Sequence, residues 1–335
     1  MSGKNINKII LFGGGRALSK FAVNVLRSKL KLVIFTEELH LNEKINERGS
    51  LKENLEFKNI PYIKCEKISQ GLVKRHINDN TLGLSISAVW ILKQDFINLF
   101  KGRLYNLHEA RLPRNRGGGG FTWRILSGDR LGGITIHKLE EGIDAGDMVM
   151  QKKFSFPQNC RIPADYYAYL DKKEDEILSE FLKAIKNREK LKRIPQNERI
   201  STYWPRLNTR INGFINWEWA YDNIELFVNA FDDPYEGAST FLNNKKVHLK
   251  KCFRQISSEK YHPFQAGIVY RILPERIFVA AAGGSLSIGS ITDENNKEIK
   301  GEIKAGHRFY TPYLYLENAK MARVFYGSKG LRNKA

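Results

Sequence analysis

Three cysteines in 335 residues, Cys65, Cys160 and Cys252, are too few and too scattered for a disulfide framework or a zinc site, and they read as buried thiols. No stretch of roughly twenty apolar residues exists, so no segment is expected to span a bilayer. The opening MSGKNINKIILFGGG holds an apolar run too short for a signal peptide, with a glycine cluster where a cleavage site would stand. A cytoplasmic protein is therefore expected. Acidic residues are in deficit: 36 Asp and Glu stand against 55 Lys and Arg, a formal net charge of +19. Such a surplus favours an anionic partner: a nucleic acid, a nucleotide-linked substrate, a polyglutamylated folate or an acidic membrane surface. Because the lysines are spread along the chain, plain solvation of the surface is an equal reading. What is present in quantity is globular: 42% hydrophobic and 27% charged residues, with length enough for two domains.

Taken in order, Lys8 to Phe12 is a short apolar run, followed by Gly13-Gly14-Gly15 and a helical pattern from Ala17 to Leu30. A second apolar run, Leu30 to Phe35, completes the opening of a Rossmann-like, parallel-rich sheet. The third glycine of a dinucleotide fingerprint is replaced by Leu18, so NAD binding is only weakly supported. The loop either offers backbone N–H groups and Arg16 to a phosphate, or is a structural turn. Residues 36–58 read as irregular, Tyr62 to Cys65 as a third strand, and Ser69 to Asp79 as a helix. Leu82 to Val89 reads as a central strand and Leu104 to His108 as the next, with helical spacing from Lys93 to Phe100 between them. In open parallel sheets ligands bind beyond the carboxyl ends of strands. That rule places Gly13 to Gly15, Ala88 to Leu92, and the pair Asn106 and His108 along one edge.

The chain is organised around 105–150, YNLHEARLPRNRGGGGFTWRILSGDRLGGITIHKLEEGIDAGDMVM. Asn106 and His108 lie two residues apart on a strand, so their side chains emerge on one face. A Gly- and Arg-rich loop, a short helix, an alternating run from Gly133 to Leu139 and an acidic turn carrying Asp144 follow. An amide, an imidazole and a carboxylate from two strand ends can form one polar cluster. Singly, each has a plain structural use: Asn106 as a loop cap, His108 as a satisfied core residue, Asp144 in an Asx turn. His137, on the alternating strand, reads as structural.

The ordered series N-L-H, L-P-x-x-R-G, S-G-D, G-I-T-I-H and G-I-D-A-G-D resembles the formyltransferases that use N10-formyltetrahydrofolate. That group includes methionyl-tRNA, glycinamide ribonucleotide and sugar N-formyltransferases. The resemblance implies catalytic roles for Asn106, His108 and Asp144. It implies that the donor's pterin ring is held by the backbone of Ala88 to Leu92, including Trp90 and Ile91, and of Glu141, Gly142 and Ile143. The acceptor would enter beside Gly13, Gly14, Gly15 and Arg16, and beside the loop of Arg114, Arg116 and Gly117. Formyl transfer passes through a tetrahedral carbon bearing an oxyanion, and these residue types suit it: a donor that does not titrate, a base near neutrality and a carboxylate to orient it.

Asp165 to Glu189 reads as a long, charged amphipathic helix that closes the first domain. The expected division is a catalytic domain at 1–190, a basic, Pro-containing linker at 191–210, a second domain at 211–325 and a tail at 326–335, disordered from Gly330. In the second domain a helical stretch, Asn216 to Phe231, precedes five strand-like runs separated by Asn243-Asn244, Leu273-Pro274 and Gly283-Gly284. A small OB-like β-barrel with one helix is expected, loosely similar to the C-terminal domain of several of these enzymes. Dimerisation or acceptor binding are the roles open to it. Glu109 and Arg111 replace the small or apolar residues expected after the histidine, and Gly117 to Gly120 replace the Ala-Ala-Pro of the tRNA enzyme. Both departures fall where an acceptor is chosen. The expected acceptor is therefore a nucleotide-linked amino sugar, with methionyl-tRNA as the alternative and a non-catalytic nucleic-acid-binding module as the third reading.

Overall fold

The computed structural model describes residues 5–46, 49–256, 259–323, 325–327 and 330–332. The first domain is built on β1 (Lys8–Gly13), β2 (Lys31–Thr36), β3 (Ile63–Lys64), β4 (Thr81–Ile86), β5 (Leu104–His108), β6 (Leu131–Lys138) and β7 (Met148–Ser155). Their spatial order is β3-β2-β1-β4-β5-β6-β7, parallel through β5 and antiparallel beyond it. Continuous apolar sequence explains the centre: β4 is buried at every position and β1 at all but its first, as strands covered on both faces must be.

Helix α1 (Gly15–Arg27) turns Leu18, Phe21, Ala22 and Val25 inward at helical spacing. It packs beside the long α2 (Pro163–Lys186), joined to it by Arg16 and Lys20 on Asp171 and by Lys20 on Asp175. Pro163 starts α2, where its missing N–H costs nothing, and the Asp165 carboxylate accepts from the Arg161 and Ile162 N–H groups. The other face of the sheet is closed by Phe12, Phe35, Phe96 and Phe100, with rings 5.6–6.1 Å apart.

Two expectations change. Residues 36–58 are not irregular: they hold short helices at Glu38–Leu41 and Leu51–Phe57, the second begun by a capping box of Ser50 and Glu53. That S-x-x-E signal was present in the sequence. The helix expected at Ser69 to Asp79 is confined to Gln70–Lys74.

The second domain is an antiparallel sheet of β8 (Ala238–Leu242), β9 (Lys245–Arg254), β10 (Val269–Ile272), β11 (Ile277–Ala281), β12 (Gly284–Asp293) and β13 (Phe309–Tyr310), ordered β10-β11-β12-β9-β8-β13. The Phe309 N–H donates to the Gly267 carbonyl and the Val269 N–H to the His307 carbonyl, so the two edges meet and the sheet curls towards a barrel. Helix α3 (Tyr221–Ala230) plugs it with Ile224, Phe227 and Val228. A second helix, Tyr313–Met321, was not anticipated. Gly330–Arg332, expected to be disordered, pairs with Phe325–Gly327, while residues 333–335 lie outside the described residues. Among the described residues no helix is long and apolar enough to cross a membrane.

The linker is fastened to the first domain along its length. Ile194 pairs with Met148 and Tyr203 with Arg116, Trp204 stacks on Trp123 at 5.2 Å, and the Trp123 indole donates to the Pro205 carbonyl at 2.7 Å. The Ala164 N–H donates to the Asp233 carbonyl, and Arg161 bonds both Glu225 and the Cys252 carbonyl of the second domain. The two domains are thus held by directional contacts as well as by apolar packing.

Candidate active site

Strand β5 ends at the edge of the sheet with Asn106 and His108 on one face and the buried Leu107 on the other. Its antiparallel neighbour β6 sets His137 directly opposite Asn106. The chain then turns at 139–147 and returns Asp144, at φ +49°, above the same spot. Asn106, His108 and Asp144 therefore converge as their spacing suggests. The Asn106 amide Nδ2 lies 3.2 Å from His137 Nε2 and 3.4 Å from Asp144 Oδ1. His108 Nδ1 stands 3.5 Å from Asp144 Oδ2, and the backbone N–H of Gly117 donates to that same oxygen at 2.9 Å.

The hydrogen bonds fix which nitrogen does what. His108 Nε2 faces the Asn115 carbonyl at 2.9 Å, so it carries the proton, and the open lone pair of the neutral ring is Nδ1, beside the Asp144 carboxylate. His137 likewise donates from Nδ1 to the Lys138 carbonyl, which leaves its Nε2 as an acceptor for Asn106. Burial, the largest influence on His108, lowers its pKa, and Asp144 and the Asn115 carbonyl only partly offset this. For Asp144 burial acts upward but is overcome by both histidines and the Gly117 N–H, which hold the carboxyl far below the ordinary carboxylate range. At neutral pH the site is a fixed carboxylate beside a neutral imidazole.

Three supporting residues were not found from sequence. His137, read there as structural, is 1% exposed and sits 3.5 Å from Asp144, so it is buried yet part of the cluster. Gln196 donates to the Asp144 and Gly146 carbonyls at 2.7 and 2.8 Å, and Asn115 positions His108. The T-I-H string could have raised His137; nothing local marks Gln196, which arrives from the linker 52 residues later.

The residues assigned to the acceptor divide. Arg116 is 9% exposed and grips Glu198 and Gln196, so its guanidinium ties the linker to the site. Arg114 is exposed on the same loop. Gly13 and Gly14 pack against Ile86 and His40, while Gly15 opens onto free space and Arg16 reaches Asp171. Gly117 has φ +88°, and a Cβ there would lie 2.5 Å from the Tyr203 ring. Gly117→Ala is expected to destabilise the chain by about 1–3 kcal/mol through backbone strain. It should also lower kcat by displacing the N–H that holds Asp144; thermal melts and turnover measured together check both.

On the other flank, Ile91 and Ile143 are 86% and 57% exposed, at the tips of the two loops assigned to the pterin. Trp90 is anchored instead, its indole donating to the Glu66 carbonyl at 3.0 Å, and Leu92 is buried in the core, with Ala88 part-buried beside it. Glu141 and Gly142 border a groove of ≈ 590 Å³ that runs past Ile97 and Leu139 to Lys101 and Lys138. The groove's lining sets these lysines beside Glu140 and Glu141, and Ile91 and Ile143 are not part of it.

The two departures after His108 have partners. Arg111 pairs with Asp129 at 3.3 Å. Glu109 is hydrogen-bonded to Glu174 on α2; burial is the chief cause pushing Glu109 up to about 6 and Glu174 well above the carboxylate range. Both folded-state values exceed the unfolded ones, so the contribution of Glu109 is fully present below about pH 4.5 and is lost as pH rises through 6, while that of Glu174 is lost at higher pH. Glu109→Gln should therefore raise stability by on the order of 2 kcal/mol at pH 8 and by little at pH 4. Melting curves at the two pH values test the sign.

Known proteins can now be compared with this geometry. A model of the formyl transferase domain matches residues 74–182, and a model of the formyl transferase C-terminal domain matches residues 209–308. The chain belongs to the formyltransferase family. Asn106, His108 and Asp144 lie inside the first match, and the curled sheet, apart from its last strand β13, lies inside the second. Methionyl-tRNA formyltransferase of Syntrophus aciditrophicus is 28% identical over 210 residues, 62% of this chain and 64% of that protein. The same enzyme of Prochlorococcus marinus is 31% identical over 214 residues, 60% of this chain and 62% of that protein. These alignments leave over a third of each relative uncovered. Among solved structures, the sugar 3N-formyltransferase WlaRD, with dTDP and 5-N-formyl-THF, superposes with TM-score 0.64 at 20% identity, over 86% of this chain and 98% of that one. An N-formyltransferase of Helicobacter canadensis, in complex with folinic acid and dTDP-3-aminofucose, gives TM-score 0.63 at 19% identity, over 85% and 98%. The formyltransferase fold thus extends through both domains.

Proposed function

We propose that this formyltransferase moves the formyl group of N10-formyltetrahydrofolate onto the amine of a nucleotide-linked amino sugar. The observation that carries the reaction type is the convergence of Asn106, His108 and Asp144 at the sheet edge, with Asp144 held ionised. The acceptor amine attacks the formyl carbon, the new C–N bond forms and the bond to N10 breaks. One proton leaves the amine and one is returned to N10. Asn106 holds its Nδ2 group towards the oxyanion, giving up the longer, 3.4 Å contact to Asp144. His108 accepts the amine's proton at Nδ1, where Asp144 stabilises the resulting charge.

The choice of acceptor rests on the loop. Glu109 and Arg111 are occupied by Glu174 and Asp129, and the glycines at 117 and 119 lie beneath Tyr203 and Trp204. Structural neighbours that act on sugar amines favour the same assignment. A second reading, methionyl-tRNA, is favoured by the curated relatives and by exposed Lys186, Arg188, Lys190, Lys192, Arg193 and Arg199 along the end of α2 and the linker. A turnover screen of amino-sugar nucleotides with the folate donor, following release of tetrahydrofolate, separates the two. Amino-sugar turnover is expected. Formylation of methionyl-tRNA alone, with affinity falling about 10³–10⁵ between 50 and 200 mM salt, would reverse the assignment.

A further inference from the structure

Beside the catalytic cluster lies a second cavity, between the domains. It measures ≈ 320 Å³ and is lined by Gly118–Gly120 and Tyr167 of the first domain, by 206–210 of the linker, and by Pro234 to Glu236 of the second. One residue of chain separates it from the chemistry: the Gly117 N–H holds Asp144, and the next three residues are the cavity's wall. That wall has no side chains. A Cβ on Gly118 would come within 3.5 Å of Arg206 and one on Gly120 within 4.0 Å of the Tyr167 hydroxyl, so each glycine leaves space that any other residue would fill. Hydrogen-bonding groups face each other across it, the Tyr167 and Tyr235 hydroxyls 3.5 Å apart, with Arg206, Arg210, Asn208 and Thr209 around the rim. Arg210 donates from Nε and Nη2 to the Glu236 carboxylate, which also lines the cavity, so this pair adds no net charge to the mouth. The walls are held in place by the stacking of Trp123 on Trp204 and by the Ala164 to Asp233 backbone bond, so the cavity exists before any ligand arrives.

We propose that this interdomain cavity seats the sugar–diphosphate portion of the acceptor, so that the linker and the second domain take part in choosing it. The inference rests on the amino-sugar reading above and adds where the rest of that molecule lies. Hydroxyl and amide groups suit a sugar ring, the Arg206 guanidinium suits phosphate oxygens, and a backbone wall lets a phosphate approach closely. The volume is at the lower end of ligand sites, about 300–1,000 Å³, enough for part of such a ligand, and the base would extend outward.

Calorimetric titration of the full chain with UDP, dTDP and GDP tests the seat without requiring turnover. One of the three is expected to bind. Gly118→Val fills the wall at a residue whose φ is not in the left-handed region, and Arg206→Gln removes a rim charge. Each should weaken that binding by about tenfold or more, with the melting temperature and the KM for the formyl donor unchanged. No binding by the unaltered chain, or equal binding by both variants, overturns the cavity assignment. Binding that both variants lose, in a chain that formylates no amino-sugar nucleotide, upholds the cavity as a diphosphate site and defeats the acceptor reading instead.

Discussion

Asn106→Ala is expected to lower kcat by about 10²–10³ while leaving the melting temperature and the KM values of both substrates nearly unchanged. The reason is local. Asn106 is part-buried at the end of β5, and among the described residues its side-chain amide bonds to His137 and Asp144. An interaction made chiefly in the transition state is lost with kcat and kcat/KM falling together. His108→Ala should behave alike, because Nδ1 is its only open acceptor and no other neutral base shares its position. Steady-state kinetics with circular dichroism on both variants decide the matter. A loss below tenfold in both, in folded protein, would remove these residues from the mechanism.

Asp144→Asn is expected to cost more, about 10³–10⁴ in kcat, by analogy with other carboxylates that orient a catalytic imidazole. Asp144 accepts from the Gly117 N–H and stands 3.5 Å from His108 Nδ1, so an asparagine there can keep the backbone bond but not the charge that stabilises the imidazolium once His108 takes up its proton. The pH profile carries the sign. His108 must be neutral to accept a proton, and burial already sets its pKa below the ordinary imidazole value of about 6.5. The acid limb of kcat/KM therefore lies below that value and the rate is level by neutral pH. Removing the Asp144 charge takes away the main influence favouring the imidazolium, so in the variant the limb moves further towards acid while the plateau falls. A limb that moves towards alkaline pH would contradict the roles given to the pair.

The structure also changes the meaning of residues that stand out in the sequence. Four successive glycines stand where an acceptor would be chosen, yet Gly117 and Gly119 are small because Tyr203 and Trp204 press on them. Arg116 suggests a substrate anchor, yet it is buried against Glu198 and Gln196 of the linker. The linker in turn sends Gln196 to the carbonyls of Asp144 and Gly146, which makes a connecting segment part of the scaffold of the candidate site.

What the sequence determined by itself is what periodicity and adjacency encode. Buried runs at β1 and β4, the two-residue spacing of Asn106 and His108, and the glycine-bounded turn carrying Asp144 are local patterns, and each element formed within a few residues of its expected place. Only the tertiary structure decided which of these groups meet, because antiparallel register places His137 opposite Asn106 and the linker returns 52 residues later to grip the Asp144 turn. Such contacts depend on strand register and domain docking, which cost loop-closure entropy and leave no local signature in composition or spacing.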